Sequence, residues 1–325
     1  MHPAQFPSRV DFYPFCQERF ICSCLNSCCS AFHDYFPWLI TGISLISALT
    51  TFTNMKKKSV PAFGFAFPAR RMETQQDWDD LVLDPQTLAE VKRLEAWLKH
   101  GDTLIKDWGM RRKIKPGFRA LFYGPPGTGK SLAASLLGKS NDRDVYSVDL
   151  SMVVSKFIGE TEKNLSNLFA KAENKNWILF FDEADALFGK RTEVKDSHDR
   201  YANQEVSYLL QRLESFPGLA IVALSLKGNI DGAFIRRFQS IVHFPMPGAR
   251  QRLMLWQKAF PEKVELGNDV DLEKLAEDFE LSGENIINVV QSSCLRALSE
   301  NSNQIKMPYI VEAVRNEFRK AGNTI

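Results

Sequence analysis

The most chemically specific feature of the sequence is a glycine-rich segment that lies between an apolar run and a helical pattern. The run Phe118–Tyr123 predicts a strand, and the apolar residues 132–137 predict a helix directly after the segment. Glycines let successive backbone N–H groups turn toward phosphate oxygens, and the helix N-terminus adds a partial positive charge. Lys130 is expected to reach phosphate oxygens, and the Ser131 hydroxyl is expected to ligate Mg²⁺. The expected binding residues are Gly124, Pro125, Pro126, Gly127, Thr128, Gly129, Lys130, Ser131 and Leu132.

A second candidate group is a pair of carboxylates at the end of another apolar run. Asp182 and Glu183 directly follow Trp177–Phe181, which has the continuous apolar character of a strand buried on both faces. Open α/β sheets bind ligands at the carboxyl ends of their strands. Strands often end in acidic turns, but a position after a phosphate loop favours chemistry. Asp182 is therefore predicted to hold Mg²⁺, and Glu183 to polarise an attacking water as general base.

These motifs occur in an order that resembles a known family. From about Trp78 to the C-terminus, the chain is similar to AAA domains of the wider AAA+ ATPases. The resemblance implies an α/β P-loop NTPase fold with a parallel five-stranded sheet and flanking helices, followed by a small all-α lid. It also implies ATP and Mg²⁺ as cofactors, ATP hydrolysis, and a homo-oligomeric ring, typically a hexamer.

The resemblance assigns roles to three later residues. Ser225 follows the run 219–224, at the position where the family usually carries an Asn that orients the attacking water. A serine hydroxyl can bond water but lacks the amide fork, so slower hydrolysis is expected. Arg236 and Arg237 match arginine fingers, which stabilise phosphoryl charge on a neighbouring subunit. The alternative is a surface arginine pair at a helix end.

The resemblance also marks three regions of contact. Phe157, Ile158 and Gly159 match an aromatic loop that lines the ring pore and grips a polypeptide substrate by apolar contact. The alternative is that these side chains belong to the core of a loop–helix junction. Asp80 and Leu81 are the expected adenine contacts, and Gly283 lies in a segment that resembles the lid motif, where glycine allows close approach to the nucleotide.

Composition and charge exclude some classes of function. The chain has 325 residues, with 41 Lys and Arg against 39 Asp and Glu, and a formal net charge of +2. This balance argues against a nucleic-acid coat protein and against an acidic disordered protein. A DNA-acting AAA+ protein lacks support because no basic groove pattern or appended helix-turn-helix is evident, so no nucleic-acid partner is expected.

The head of the chain, residues 1–54, differs in composition from the rest. It contains few charged residues and every cysteine except Cys294, in a spacing that does not match a zinc module. Residues 36–54 have just the length of a weak membrane span, and Lys56–Lys58 would then place the body on the cytoplasmic side. The alternative is that the head is a mis-assigned start or a disordered segment, and that the protein is cytoplasmic.

The sequence thus predicts a head, a linker over 55–77, an α/β nucleotide-binding domain over 78–247 and a helical lid over 248–325. The leading functional hypothesis is an ATP-driven remodeler that unfolds or disassembles proteins through a ring pore. A slowly hydrolysing nucleotide-dependent scaffold or switch is the alternative that Ser225 favours. A membrane-anchored protein extractor is the alternative that the head would favour.

Overall fold

The computed structural model describes residues 69–150, 160–185, 207–225, 232–320 and 322, all of which fall in one compact unit, Phe63–Ile325. The head and its candidate membrane segment 36–54, most of the linker, and the pore-loop candidates Phe157, Ile158 and Gly159 lie outside the described residues. Within the described residues, no helix is both long enough and apolar enough to cross a membrane.

The centre of the fold is a six-stranded sheet. Its strands are β1 (Ala69–Met72), β2 (Phe118–Tyr123), β3 (Val145–Asp149), β4 (Ile178–Asp182), β5 (Leu219–Leu224) and β6 (Ser240–His243). The spatial order is β1-β3-β4-β5-β2-β6. Strands β2 to β6 pair in parallel, whereas β1 pairs antiparallel with β3. The five predicted parallel strands are therefore confirmed.

The sixth strand lies where the sequence predicts linker. Strand β1 is a short edge strand that carries two arginines, so it has neither an apolar run nor an alternating pattern. Arg71 anchors it through an ion pair of 2.8 Å with Asp144. The linker prediction thus fails over 69–72, because backbone pairing with β3 rather than apolar patterning places these residues in the sheet.

Helices cover both faces of the sheet. They are α1 (Pro85–Lys106), α2 (Lys130–Ser140), α3 (Glu160–Lys175), α4 (residues 207–215) and the short α5 (Gly232–Ile235). Alternate residues of each strand enter two separate cores: Leu121 and Phe181 pack with α3 and α4, while Phe122 and Phe180 pack with α1 and α2. This burial on both faces explains why the strands read as continuous apolar runs.

The C-terminal region is helical, as predicted, with one addition. Its helices are α6 (Ala249–Ala259), α7 (Leu272–Asp278), α8 (Gly283–Ser299) and α9 (Met307–Lys320). They enclose a third core that includes Trp256, Ile286 and Val314. A parallel pair of two-residue strands, β7 (Glu265–Leu266) and β8 (Gln304–Ile305), joins two of its loops. Strands this short leave no periodic signal in a sequence, so the all-α prediction missed them.

Candidate active site

The glycine-rich segment connects the end of β2 to the start of α2, as the sequence predicts. Three of its glycines have φ values in the left-handed region: 151° at Gly124, 73° at Gly127 and 98° at Gly129. A Cβ at Gly124 would lie 2.0 Å from the carbonyl oxygen of Phe244. Backbone conformation and close packing therefore both require glycine at this position.

Lys130 is held over the loop by hydrogen bonds. The residue is only 9% exposed, and its Nζ donates to the carbonyl oxygens of Gly124 at 2.6 Å and Pro125 at 2.8 Å. Burial lowers the pKa of Lys130, whereas the charges of Asp182 and Asp185 raise it. The ammonium is thus placed between the loop and the acidic residues, where it can meet an anionic ligand.

The predicted carboxylates lie at the same edge of the sheet as the loop. Strand β5 separates β2 from β4, with Tyr123 opposite Leu224 and Phe181 opposite Val222. Asp182 ends β4, and its Oδ1 accepts a hydrogen bond of 3.0 Å from the backbone N–H of Glu183. Glu183 has a φ of 51°, and its side chain is exposed. The left-handed backbone turns Glu183 out of the strand direction, and such conformations cluster at functional sites.

Ser225 lies between the loop and the carboxylates. It follows β5 directly, and the preceding Leu224 accepts a 3.1 Å hydrogen bond at its carbonyl oxygen from the N–H of Gly124. The N–H of Ser225 donates to Oδ2 of Asp185 at 2.7 Å. Ser225 therefore lies beside the phosphate loop, and its role in orienting water stays a prediction.

Asp185 is a member of the site that sequence reasoning missed. Its carboxylate ties the end of β4 to Ser225 and raises the pKa of Lys130. The available signal was its position in the first turn after the strand, three residues beyond Asp182. That signal was weak because acidic residues are common in such turns.

The segment before α1 places one of the two predicted adenine contacts beside the loop. Leu81 is buried, and its Cδ1 would lie 2.8 Å from a Cβ at Gly129. Asp80 is exposed, and its Oδ2 accepts a 2.8 Å hydrogen bond from the N–H of Asp77 at the start of the 3-10 turn Trp78–Asp80. Contact of either residue with adenine stays a prediction.

The N-terminus of the lid helix α8 meets the phosphate loop directly. The N–H of Glu284 donates to the carbonyl oxygen of Gly127 at 3.3 Å, and a Cβ at Gly127 would lie 2.4 Å from Oγ of Ser282. A Cβ at Gly283 would lie 3.5 Å from the same carbonyl oxygen, which is ordinary contact distance. Gly127, rather than Gly283, is therefore the glycine that this close approach requires.

The two arginines lie at the opposite edge of the sheet from the loop. They follow α5 and precede β6, whose Ser240 is opposite Ala120 near the start of β2. Both are exposed, and Nη1 of Arg237 forms an ion pair of 2.6 Å with Oε1 of Glu214. The rise of β2 from Arg119 to Gly124 is about 16 Å, so the arginines do not join the loop of their own chain.

The loop, Lys130 and the acidic strand end together fit a nucleotide with Mg²⁺. The loop backbone has no room for side chains at Gly124 and Gly127, and it presents a helix N-terminus and a buried ammonium. Ser131 and Asp182 carry oxygen atoms of the kind that Mg²⁺ prefers, so they would be its ligands. The arrangement can bind phosphate and polarise a water, which suits phosphoryl transfer to water.

Comparison with known proteins agrees with this geometry. Residues 120–246 match the family "ATPase family associated with various cellular activities (AAA)". The chain is 35% identical over 211 residues to the proteasome-activating nucleotidase of Aeropyrum pernix, covering 62% of this chain and 51% of that protein. It is 32% identical to cell division protein C of Sulfolobus acidocaldarius, over 55% of this chain and 50% of that protein. It is 29% identical to the probable 26S proteasome regulatory subunit 6B of Caenorhabditis elegans, over 74% of this chain and 59% of that protein. The chain thus spans about half the length of the curated relatives it matches.

Proposed function

Because residues 120–246 match the AAA family of ATPases, we propose that this chain hydrolyses Mg-ATP and uses the energy to unfold or disassemble protein substrates. The match to this family supports the predicted cofactors, ATP and Mg²⁺. The observation that carries the proposal is the convergence of Lys130, Asp182, Glu183 and Ser225 at one edge of the sheet. Two of the relatives are a proteasome-activating nucleotidase and a probable 26S proteasome regulatory subunit, which favours a polypeptide as the substrate.

The residues of the site divide the work of hydrolysis. The loop N–H groups and Lys130 bind and orient the phosphates. Ser131 and Asp182 would hold Mg²⁺, which would supply positive charge to neutralise the phosphate oxygens. Glu183, with its exposed carboxylate at the strand end, takes a proton from the attacking water, and Ser225 helps to orient that water. The lid helix α8 contacts the phosphate loop through the hydrogen bond from the N–H of Glu284 to the carbonyl oxygen of Gly127.

A ring is part of the proposal because the site is incomplete within one chain. Arg236 and Arg237 lie in the turn that Arg119 binds at the start of β2, and β2 rises about 16 Å from Arg119 to Gly124 of the phosphate loop. In a homo-oligomeric ring, which we propose to be a hexamer, the arginines of one copy would approach the nucleotide of the next. Phe157, Ile158 and Gly159 would then line the pore and grip the substrate.

Replacement of Glu183 tests this function. We expect Glu183→Gln to lower ATP turnover at least a hundredfold while Mg-ATP binding persists, because only the proton acceptor is lost. The variant should also retain polypeptide in an ATP-dependent complex, which size-exclusion chromatography and mass spectrometry would detect. The matched control is Glu262→Gln, an exposed carboxylate in the turn between α6 and β7. Unchanged turnover in Glu183→Gln would refute the proposed function.

Ser225 favours a second candidate, a slowly hydrolysing nucleotide-dependent switch. Its hydroxyl is shorter than an Asn amide and offers no fork of donor and acceptor. If slow hydrolysis is the working state, Ser225→Asn should raise kcat strongly without changing the affinity for ATP. An unchanged kcat would instead favour the remodeler.

A further inference from the structure

Arg119 is a buried arginine with no place in the chemistry described so far. It is the second residue of β2 and is 7% exposed, at the opposite end of the strand from the phosphate loop. Burial lowers its pKa, and the charge of Glu214 raises it. Such a group is costly to bury unless its donors are used.

The donors of Arg119 are used to fix the turn that carries the two arginines. Its Nε donates to the carbonyl oxygen of Arg237 and its Nη1 to that of Glu214, each at 3.2 Å. Two more bonds tie the same turn to β2: the N–H of Arg119 donates to Oε1 of Gln239 at 2.9 Å, and the N–H of Gln239 donates to the carbonyl oxygen of Arg119 at 3.0 Å. The planar guanidinium therefore joins the end of α4 to the turn in a fixed geometry.

The two arginines of the turn are not equivalent. Arg237 is bound within its own chain, because its Nη1 lies 2.6 Å from Oε1 of Glu214, whose Oε2 is also 3.7 Å from Nζ of Lys115. Arg236 is exposed, and no hydrogen bond or ion pair joins its side chain to another residue of the described part of the chain. The backbone of the turn is further held by Phe234, which is 6% exposed and packs edge-to-face on Phe238.

We propose that Arg236 reaches the nucleotide of a neighbouring copy, whereas Arg237 anchors the turn within its own chain. Arg119 and Glu214 are then positioning residues that hold this turn in place. The inference rests on the proposed ring function, since it requires that an arginine acts between copies. Of the two predicted arginine fingers, Arg236 then contacts the nucleotide, and Arg237 holds Arg236 in its orientation. Arg119, although it lies at the opposite end of β2 from the phosphate loop, would then affect hydrolysis by holding the turn that carries Arg236.

Comparison of the two arginines in the full chain is the first test. We expect Arg236→Gln to lower kcat of ATP hydrolysis about 10³-fold, the low end of the range for arginine fingers, and Arg237→Gln to lower it only about tenfold. Equal losses, or a larger loss at Arg237, would overturn the assignment. If neither substitution changes kcat, the proposed action of an arginine between copies in a ring fails as well. Equal losses would refute only the division of roles between Arg236 and Arg237.

Two kinetic comparisons test the positioning role of Arg119: the loss of kcat in a double variant against the losses in the single variants, and the change in kcat against the change in KM for ATP. Arg119→Gln should lower kcat about tenfold with KM for ATP unchanged, and it should add no further loss in the Arg236→Gln background, because it acts through Arg236. Arg119→Lys should not restore kcat, since an ammonium cannot donate to both carbonyls in a fixed fork. A raised KM, or a full further loss in the double variant, would show a general structural role instead.

A surface variant keeps the inference testable if Arg119→Gln does not fold. Glu214→Gln removes the charge that holds Arg237 but keeps the carbonyl oxygen that Arg119 binds, and we expect kcat to fall about fivefold with KM unchanged, as expected for loss of a positioning contact. The matched control is Glu173→Gln, whose carboxylate lies 3.9 Å from Arg212 on the neighbouring helix. Unchanged or increased kcat in Glu214→Gln would refute the anchoring of Arg237, because release of Arg237 would then cost nothing.

Discussion

The close approach of the lid to the phosphate loop predicts that Gly127 tolerates no side chain. Gly127 has a φ of 73°, and a Cβ there would lie 2.4 Å from Oγ of Ser282 and 2.8 Å from Cβ of Glu284. Gly109 offers a matched control, because its φ is 70° and a Cβ there would meet nothing within 4 Å. Substitution of each glycine by alanine therefore separates backbone strain from steric overlap.

The expected magnitudes follow from this difference in surroundings. Gly109→Ala should lower the free energy of unfolding by about 1–2 kcal/mol, the cost of a left-handed conformation with a Cβ. Gly127→Ala has the same cost and adds overpacking of about 1–3 kcal/mol, so a total loss of about 2–5 kcal/mol is expected. The overlap would also move the start of α8 away from the loop and weaken the hydrogen bond from Glu284 to the carbonyl oxygen of Gly127.

Two measurements check this prediction. Urea unfolding followed by circular dichroism gives the free energies of unfolding, and titration with a fluorescent ATP analogue gives the nucleotide affinity. We expect Gly127→Ala to weaken nucleotide binding and Gly109→Ala to leave it unchanged. Equal losses of stability in the two variants would refute the argument, since the lid would then not lie against the loop as described.

Three further predictions follow from the described contacts. Lys130→Met should lower the affinity for Mg-ATP about 10–100-fold by loss of charge-assisted hydrogen bonds to phosphate, which calorimetry would detect; an unchanged affinity would contradict the placement of Lys130. Asp185→Ala should lower kcat and the free energy of unfolding, the latter by about 1–3 kcal/mol, because the N–H of Ser225 loses its acceptor; a thermal melt that matches the parent chain would count against this bond. Hydrogen bonds from Lys92 and Lys99 lower the pKa of Glu95 from its ordinary 4.5, so its contribution to stability is present above pH 4.5 and is lost as the pH falls through the folded-state pKa. Glu95→Gln should therefore be less stable than the parent near pH 7, and the difference should shrink as the pH falls through the folded-state pKa; a difference that is constant with pH would contradict this assignment.

The parts of the site that could be predicted from sequence are those carried by consecutive residues. The loop 124–131, the pair Asp182 and Glu183, and Ser225 each lie at the end of a buried apolar strand, and such strands are readable as continuous runs. Parallel strands bring their carboxyl ends to one edge, so the juxtaposition of the three motifs follows from the fold class. The family resemblance added the order of the motifs and the expectation of a lid.

The parts that could not be predicted depend on residues far apart in the chain. Strand β1 exists only because β3 supplies partners for its backbone, and Asp185 is distinguished from other acidic turn residues only by its bond to Ser225. The sequence places Arg236 and Arg237 side by side with nothing to separate their roles. Glu214 and Arg119 make that distinction, and they come from two other elements.

The sequence alone therefore determined the phosphate loop, the acidic strand end and the resemblance to AAA domains, because these are recorded in local residue types and spacing. Tertiary structure decided which groups those residues meet. The close contact of Gly127 with Ser282 arises only when the lid packs on the loop, and the buried charge of Arg119 has donors to satisfy only after β2, α4 and the arginine turn come together. Steric fit and hydrogen-bond satisfaction are properties of the packed chain, since both depend on distances that no local pattern contains.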